Sequence, residues 1–204
     1  MAATGRRERK KQRTREAIVG AAFELFAERG FDGVTASEIA ARADVARATL
    51  FSHFPTKEAI VLDQVGDDDP ATIVRERAAG EAPLAALREH YRAFARATAE
   101  NRVSAETAAM LRTRLRIITG SQTLLDGVRR LGDAQQAALA AALADGEADL
   151  DAELAAAQVC AALAVLKMRF FAALAAGAPE PAARLPEEVE AAFDLLEGGL
   201  GRWS

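Results

Sequence analysis

Side chains that donate hydrogen bonds are concentrated in one short stretch of this chain, RATLFSHFPTK. It contains Arg47, Thr49, Ser52, His53 and Lys57. An arginine can donate two parallel hydrogen bonds to guanine, whereas hydroxyl and amino groups bond to base edges or phosphate oxygens. This set of residue types fits the chemistry of binding a nucleic acid better than the chemistry of breaking a bond.

The spacing within the stretch predicts a short helix, over about residues 46–53, with two different sides. Val45, Leu50 and Phe54 fall on the apolar side and are expected to be buried. The opposite side collects Arg47, Ala48, Phe51 and Ser52, with Thr49 and His53 flanking them. The helix would therefore present a mostly polar outer face to a partner.

A second short helix is predicted immediately before the first. Thr35 and Glu38 have the spacing of a capping box, in which each side chain accepts a hydrogen bond from the other residue's backbone N–H. Apolar residues then recur at helical spacing over residues 36–43, and the helix is expected to end by Asp44.

Beyond Pro55, Thr56 is placed to cap a further helix, and Lys57 would lie in its first turn, where its ammonium group and the free backbone N–H groups attract an anion. Two short helices joined by a tight turn describe the helix-turn-helix that enters the DNA major groove. The same pattern also describes an ordinary helical hairpin, and spacing alone leaves both interpretations open.

Residues 21–61, AAFELFAERGFDGVTASEIAARADVARATLFSHFPTKEAIV, resemble the N-terminal DNA-binding domain of TetR-family transcriptional regulators along their whole length. The residues that carry the resemblance are Leu25, Phe26, Gly30, Phe31, Thr35, Ile39, Ala40, Ala43, Val45, Thr49, Leu50, Phe51, Phe54, Lys57 and Glu58. Two positions depart from the family pattern. Ala46 replaces a usual capping serine, and Phe51 replaces a frequent tyrosine whose hydroxyl commonly bonds to a phosphate.

Together with this resemblance, the residue types suggest individual roles at a DNA interface. Arg47, Thr49 and Ser52 are expected to meet base edges, with Ala48 beside them. Thr35, Phe51, His53 and Lys57 are expected to position the helix on the DNA backbone. The partner would be double-stranded DNA with a roughly palindromic sequence, bound by a homodimer.

The charge distribution agrees with contact to a polyanion at one end. Residues 1–57 carry 11 basic and 7 acidic side chains, whereas the remaining residues carry 15 basic and 23 acidic side chains. Residues 1–12 are polar, strongly basic and without apolar periodicity, which predicts a disordered arm. We expect a helix-turn-helix domain over residues 13–57 and a helical ligand-binding and dimerisation domain over residues 58–204.

Composition favours an all-α fold. Half of the 204 residues are hydrophobic but only 5% are aromatic, and long alanine-rich tracts occur without a strand pattern. The apolar stretch 159–176 contains Lys167 and Arg169, each costing about 2.5 to 3.5 kcal/mol near a bilayer centre, so a buried helix is favoured over a membrane span. A polar, basic N-terminus and a single cysteine favour a cytoplasmic protein.

Two features of the C-terminal domain suggest partners. The apolar face of the last predicted helix, 186–200, has no evident partner left in its own chain. Small alanines on this helix and on the one before it, 154–176, would let the same pair from a second subunit approach closely, forming a four-helix dimer interface. Larger side chains expected to face the interior are candidates for binding a small hydrophobic effector: Tyr91, Phe94, Met110, Arg114, Met168 and Phe171. Simple core packing by these side chains is the alternative.

Catalytic and metal-binding patterns are not found in the sequence. The two histidines, His53 and His90, fall in different predicted domains, and no HExxH, GxSxG or paired CxxC motif occurs. We therefore expect no enzyme, cofactor or metal, and predict a ligand-responsive regulator, most simply a repressor. A DNA-binding protein without an effector and a helical adaptor for another protein remain alternatives.

Overall fold

The computed structural model describes residues 2–62, 69–144 and 147–199, and these residues form ten α-helices and no strand. The helices are α1 (Ala2–Arg29), α2 (Ala36–Arg42), α3 (Arg47–His53), α4 (Lys57–Leu62), α5 (Pro70–Glu76), α6 (Pro83–Glu100), α7 (Ala105–Thr119), α8 (Gln122–Leu143), α9 (Leu150–Ala175) and α10 (Leu185–Gly198). The all-α prediction is confirmed. The chain divides into two compact units.

The first unit comprises Met1–Val65 and Thr113–Arg129. Within it, α1 packs against α2 and α4, and α2 packs against α3. Their shared core contains apolar side chains from every one of these helices, with Phe26, Ile39 and Leu50 among the most deeply buried. This core holds the short helices α2 and α3, which are too short to be stable alone.

Residues 2–12, predicted to be a disordered arm, are instead the beginning of α1. Arginine, lysine and glutamine are good helix formers, and each residue added to an existing helix gains one backbone hydrogen bond without a new nucleation cost. The side chain of Gln12 also donates to Glu16 Oε1 over 2.9 Å, one turn along the helix. The absence of apolar periodicity agrees with the exposure of residues 9–12, but it did not indicate a lack of helical structure.

The second unit comprises Gly66–Arg112 and Arg130–Ser204. Helix α6 packs against α5 and α10, and α10 also packs against α9. Arg88 of α6 donates to Glu190, Asp194 and Glu197, which lie along one face of α10. The guanidinium groups of Arg92 and then Arg88 lower the pKa of Glu190 to about 2, so the two helices are also joined by charge.

One premise of the dimer prediction is wrong. The apolar face of α10 was expected to lack a partner in its own chain, yet Val189 and Phe193 are buried, and Phe193 stacks on Tyr91 of α6 with ring centroids 6.3 Å apart. The apolar side chains left uncovered on the last two helices belong instead to α9, and they include Leu150, Leu154, Val165 and Met168. By length and composition alone α9 could also span a membrane, a test that core helices of soluble proteins pass as well.

The boundaries of α2, α3 and α10 agree closely with the predicted helices, whereas α9 begins earlier than predicted. Helix α9 begins at Leu150 instead of residue 154, because the Asp149 side chain accepts a hydrogen bond from Ala152 N and caps it. Asp69 likewise caps α5. The neighbouring Asp67 and Asp68 lie outside the described residues.

Candidate DNA-binding surface

Helix α3 has the two sides that the sequence predicts. Leu50 and Phe54, at its inner side and its C-terminal end, are 0% and 1% exposed. Arg47, Ala48, Phe51 and Ser52 are all exposed, with Thr49 and His53 half-buried at the flanks. The fold therefore brings six of the eight predicted DNA-binding residues together on one helix.

The outer face of α3 is partly organised by contacts among its own residues. The guanidinium carbon of Arg47 lies 5.4 Å from the centre of the Phe51 ring, within cation–π distance. The hydroxyl of Ser52 donates to the Thr49 carbonyl oxygen over 2.7 Å. Arg47 is thus held beside an aromatic ring that is itself 37% exposed, and its N–H groups remain suited to a flat, two-pronged acceptor such as the guanine edge.

The predicted capping box at the start of α2 is confirmed. The Glu38 N–H donates to Thr35 Oγ1 over 3.3 Å, and the Thr35 N–H donates to Glu38 Oε2 over 2.8 Å. The Thr35 hydroxyl donates to Glu38 Oε2 as well, and Arg29 pairs with the other carboxylate oxygen. These bonds, that of the Thr35 hydroxyl foremost, lower the pKa of Glu38 to about 2.

The start of α3 is capped less well. Its N-cap is Ala46, which has extended backbone angles suited to capping but no side chain to accept a hydrogen bond. Asp44 does not substitute for the missing cap, since its backbone has φ of 53° and it belongs to the turn between the helices. The departure from the family pattern at Ala46 therefore has a structural consequence.

Lys57 lies at the start of α4, as predicted, but its ammonium group bonds within the protein. Nζ donates to the carbonyl oxygens of Phe31 and Val34 over 2.8 and 2.9 Å, and it lies 4.0 Å from the centre of the Phe31 ring. An ammonium group has three N–H donors, so one remains for a phosphate. Lys57 thus connects the segment between α1 and α2 to α4 by hydrogen bonds.

His53 is oriented so that its two ring nitrogens differ. Nδ1 is enclosed and has no hydrogen-bond partner among the residues that the structure describes. A contact from this side chain to a phosphate would therefore have to use Nε2. The predicted phosphate contact of His53 is thus limited to this one nitrogen atom.

Sequence spacing did not reveal a contact between α1 and the C-terminal end of α3. The guanidinium carbon of Arg15 lies 4.5 Å from the centre of the Phe54 ring. These residues are far apart in sequence and belong to no common motif, so only the tertiary fold brings them together. The contact places Arg15, near the middle of α1, beside the C-terminal end of the helix that carries the outer face.

The six predicted effector-binding residues belong to two different units, one residue to the first and five to the second. Arg114 belongs to the first unit, where its guanidinium lies 5.4 Å from the centre of the Phe23 ring. The expectation that the larger side chains face inward is wrong for Phe94, Met110 and Met168, which are 48%, 50% and 71% exposed. Tyr91 is buried against Phe193, and Phe171 is half-buried beside Phe170.

The outward orientation of Met168 has a packing reason. The buried residues of α9, which include Val159, Leu163 and Leu166, share one side of the helix, and Met168 lies on the opposite side. A cleft of about 200 Å³ occurs in the first unit, and none of the six candidates lines it. Its lining residues are Phe26, Ala27, Gly30, Phe31, Thr113, Arg116, Ile117 and Gly120.

Comparison with known proteins identifies the family. Residues 18–63 match the sequence profile of "Bacterial regulatory proteins, tetR family". The chain is 31% identical over 150 residues to the HTH-type transcriptional regulator TcmR of Streptomyces glaucescens, covering 72% of this chain and 66% of TcmR. It is 38% identical over 94 residues to RutR of Escherichia coli K12, covering 44% of this chain and 43% of RutR. The match thus spans just under two thirds of TcmR and less than half of RutR.

Solved structures agree on the fold. The crystal structure of NalD from Pseudomonas aeruginosa, the secondary repressor of the MexAB-OprM efflux pump, is 20% identical, with a TM-score of 0.56 over 90% of this chain and 96% of that one. At this level of identity the similarity concerns the fold alone. Taken with the two-sided helix α3 and the capping box that supports α2, the sequence matches show that residues 18–63 form a DNA-binding domain of the TetR family of bacterial transcriptional regulators.

Proposed function

We propose that the protein is a ligand-responsive transcriptional regulator that binds a palindromic operator as a cytoplasmic homodimer, and that it acts as a repressor. The observation that carries the proposal is the outer face of α3, where Arg47, Ala48, Phe51 and Ser52 are exposed while Leu50 anchors the helix in the core. Such an arrangement exposes donors for base edges on a rigid support.

Within this proposal, Arg47, Thr49 and Ser52 meet base edges, and Ala48 allows close approach. Thr35, Phe51, His53 and Lys57 contact the sugar–phosphate backbone. Lys57 would use the one N–H that the fold leaves to it, and His53 would use Nε2. Phe51 has no hydroxyl, so its contribution is apolar contact and support of the Arg47 side chain.

The exposed apolar side of α9 supports dimerisation. Leu150, Leu154, Val165 and Met168 are all more than half exposed, with Met168 at 71%. Their spacing places them along one side of the helix, where a second copy of the same helix would remove them from water. Two copies of α3 could then read two half-sites of one operator.

The effector is proposed to be a small hydrophobic molecule bound by the second unit. Tyr91 and Phe171 are the two predicted residues that this unit at least partly encloses. A ligand releases the protein from DNA only if it binds the DNA-free conformation more tightly, and the size of the response equals that difference in affinity. The test measures the melting temperature of the protein with each of a panel of apolar acids and planar aromatic compounds. A compound that raises the melting temperature would support an effector site, whereas no change with any compound would favour an effector-independent regulator.

The direct test measures binding to promoter fragments from the protein's own genomic neighbourhood and to random duplexes. Arg47→Ala should lose about 1 to 3 kcal/mol of discrimination between the specific and the random duplex, because it removes the two-pronged contact to guanine. Arg96→Ala, which removes an exposed arginine of the second unit, is the matched control and should retain discrimination. Equal loss on both duplexes for Arg47→Ala would contradict the assigned role.

The alternative of a protein-interaction adaptor makes a different prediction. Operator binding should weaken steeply with added salt, because each phosphate contact releases counterions. An adaptor that binds another protein through α3 would show no affinity for any duplex. Wild-type protein that binds neither promoter nor random DNA at low salt would therefore refute the proposed function.

A further inference from the structure

The N-terminal part of α1 carries cations that the fold itself does not use. Arg9, Lys10, Lys11 and Arg13 are exposed, and none of them forms an ion pair with another side chain in the parts of the protein that the structure describes. They extend beyond the core, which begins at Ile18. Packing therefore does not explain this segment.

The electrostatics of this segment are unfavourable in the protein alone. Helix N-termini carry partial positive charge and favour acidic side chains, yet the first turn of α1 contains none. Arg9 and Arg13 are also spaced four residues apart, where like charges repel each other. A polyanion placed against the segment would relieve both effects.

The position of the segment follows from one contact. Arg15 stacks against Phe54, the C-cap residue of α3. Arg15 therefore marks the point at which α1 meets the end of α3, and the exposed cations at positions 9, 10, 11 and 13 lie within two turns of Arg15 on the same helix. Arg9, Lys11, Gln12 and Arg15 together line a shallow concavity whose side chains provide three cations and one amide.

We propose that this N-terminal segment of α1 is a second DNA contact, a helical backbone clamp that binds phosphates beside the groove entered by α3. This inference rests on the proposed function and adds to it the part of the interface that supplies sequence-independent affinity. The chemistry is charge neutralisation by exposed arginine and lysine, so the segment should strengthen binding to all duplexes alike.

The test measures the affinity of the full-length protein for a fluorescent duplex of random sequence over a series of salt concentrations. The triple variant Arg9→Gln, Lys11→Gln, Arg13→Gln should reduce the slope of log affinity against log salt by about 2 to 3, since each lost phosphate contact contributes about 0.9. The control variant Arg75→Gln, Arg96→Gln, Arg130→Gln removes the same charge from exposed sites of the second unit and should keep the wild-type slope.

A second variant separates charge from folding. Arg9→Lys, Lys11→Arg, Arg13→Lys preserves every charge and should bind like wild type, whereas a loss as large as that of the glutamine variant would show that the helix, not its charge, matters and would overturn the proposal. An unchanged slope in the glutamine variant, or an equal reduction in the control variant, would also overturn it. If the wild-type protein binds no duplex at all, the proposed function fails first.

Discussion

The ammonium group of Lys57 donates hydrogen bonds to two backbone carbonyl oxygens and lies over an aromatic ring, so this residue contributes first to the stability of the fold. The two carbonyls belong to Phe31 and Val34, in the segment that connects α1 to α2. A cation that replaces two hydrogen bonds to water with two bonds to the backbone fixes this segment against α4. The same residue can contribute to DNA binding only through what remains of its bonding capacity.

Replacing Lys57 with alanine should therefore have two effects. The free energy of unfolding should fall by about 2 to 4 kcal/mol, because two charge-assisted hydrogen bonds are lost and two carbonyl groups lose their partner. Affinity for all duplexes should also fall alike. Urea denaturation checks the first effect, with the exposed Lys10→Ala as a control expected to stay within about 0.5 kcal/mol of wild type. Wild-type stability in Lys57→Ala would mean that the residue acts on phosphate alone.

Glu38 provides a pH-dependent test at the same scale. Hydrogen bonds from Thr35 and then Arg29 lower its pKa from an ordinary 4.5 to about 2. A carboxyl group whose pKa is lowered on folding stabilises the protein at pH values above its ordinary pKa. This contribution is lost as the pH falls toward the pKa of the folded state. Glu38→Gln should thus be less stable than wild type at neutral pH, and the difference should disappear near the lower pKa.

Thr35→Val is the matching variant for the Glu38 experiment, because it removes the hydroxyl group that donates to the Glu38 carboxylate and leaves the carboxylate in place. It should weaken the same pH dependence in acid titrations of unfolding. A Glu38→Gln variant whose deficit persists unchanged into strong acid would indicate a packing defect instead of a lost charge.

At the scale of elements, α2 and α3 differ in how they begin. Helix α2 has a complete capping box, whereas the N-cap of α3 is an alanine that accepts no side-chain hydrogen bond. The helix proposed to read DNA is therefore the less well anchored of the two at its first turn. Its position depends on Leu50 and Phe54 in the core and on the contact between Phe54 and Arg15.

Ala46→Ser should stabilise α3. The backbone of Ala46 already has extended N-cap angles, so a serine hydroxyl could accept a free N–H without rearrangement and add about 1 kcal/mol. The midpoint of urea denaturation measures this gain. Ala48→Ser, which makes the same change inside the helix, should give no gain, and an equal gain in both variants would exclude capping as the cause.

At the scale of the whole molecule, the uncovered side of α9 is the feature that a single chain leaves unexplained. An apolar helix normally has neighbours on every side, yet several large side chains of α9 are exposed. Residues on α10 that were expected to form this surface are instead used internally, against α6. The surface available for a second subunit is therefore centred on α9.

Met168→Glu should dissociate the proposed dimer, because two carboxylates would be brought into an apolar interface without partners. Sedimentation equilibrium measures the expected shift to monomer. Met110→Glu introduces the same charge at a methionine that is also half exposed but lies on α7, and it should leave the association unchanged. A Met168→Glu protein that remains dimeric would place the interface elsewhere.

The sequence alone determined those features that depend on neighbours along the chain. Helical periodicity gave the all-α fold and the two sides of α3, and the spacing of Thr35 and Glu38 gave the capping box, because these depend on residues within one or two turns. The N-terminal helix was missed for a related reason: the prediction relied on apolar periodicity, which reports burial, whereas a helix can extend past its core on propensity alone.

Only the tertiary structure decided which of the side chains suited to binding a partner already form contacts within the protein. The bonds of Lys57 to Phe31 and Val34, the stacking of Arg15 on Phe54, and the burial of the α10 face against α6 all join residues distant in sequence. No local pattern encodes such pairs, since they depend on how helices pack. Phe94, Met110 and Met168 are exposed in the folded protein, and the spacing of apolar residues within each helix did not reveal it.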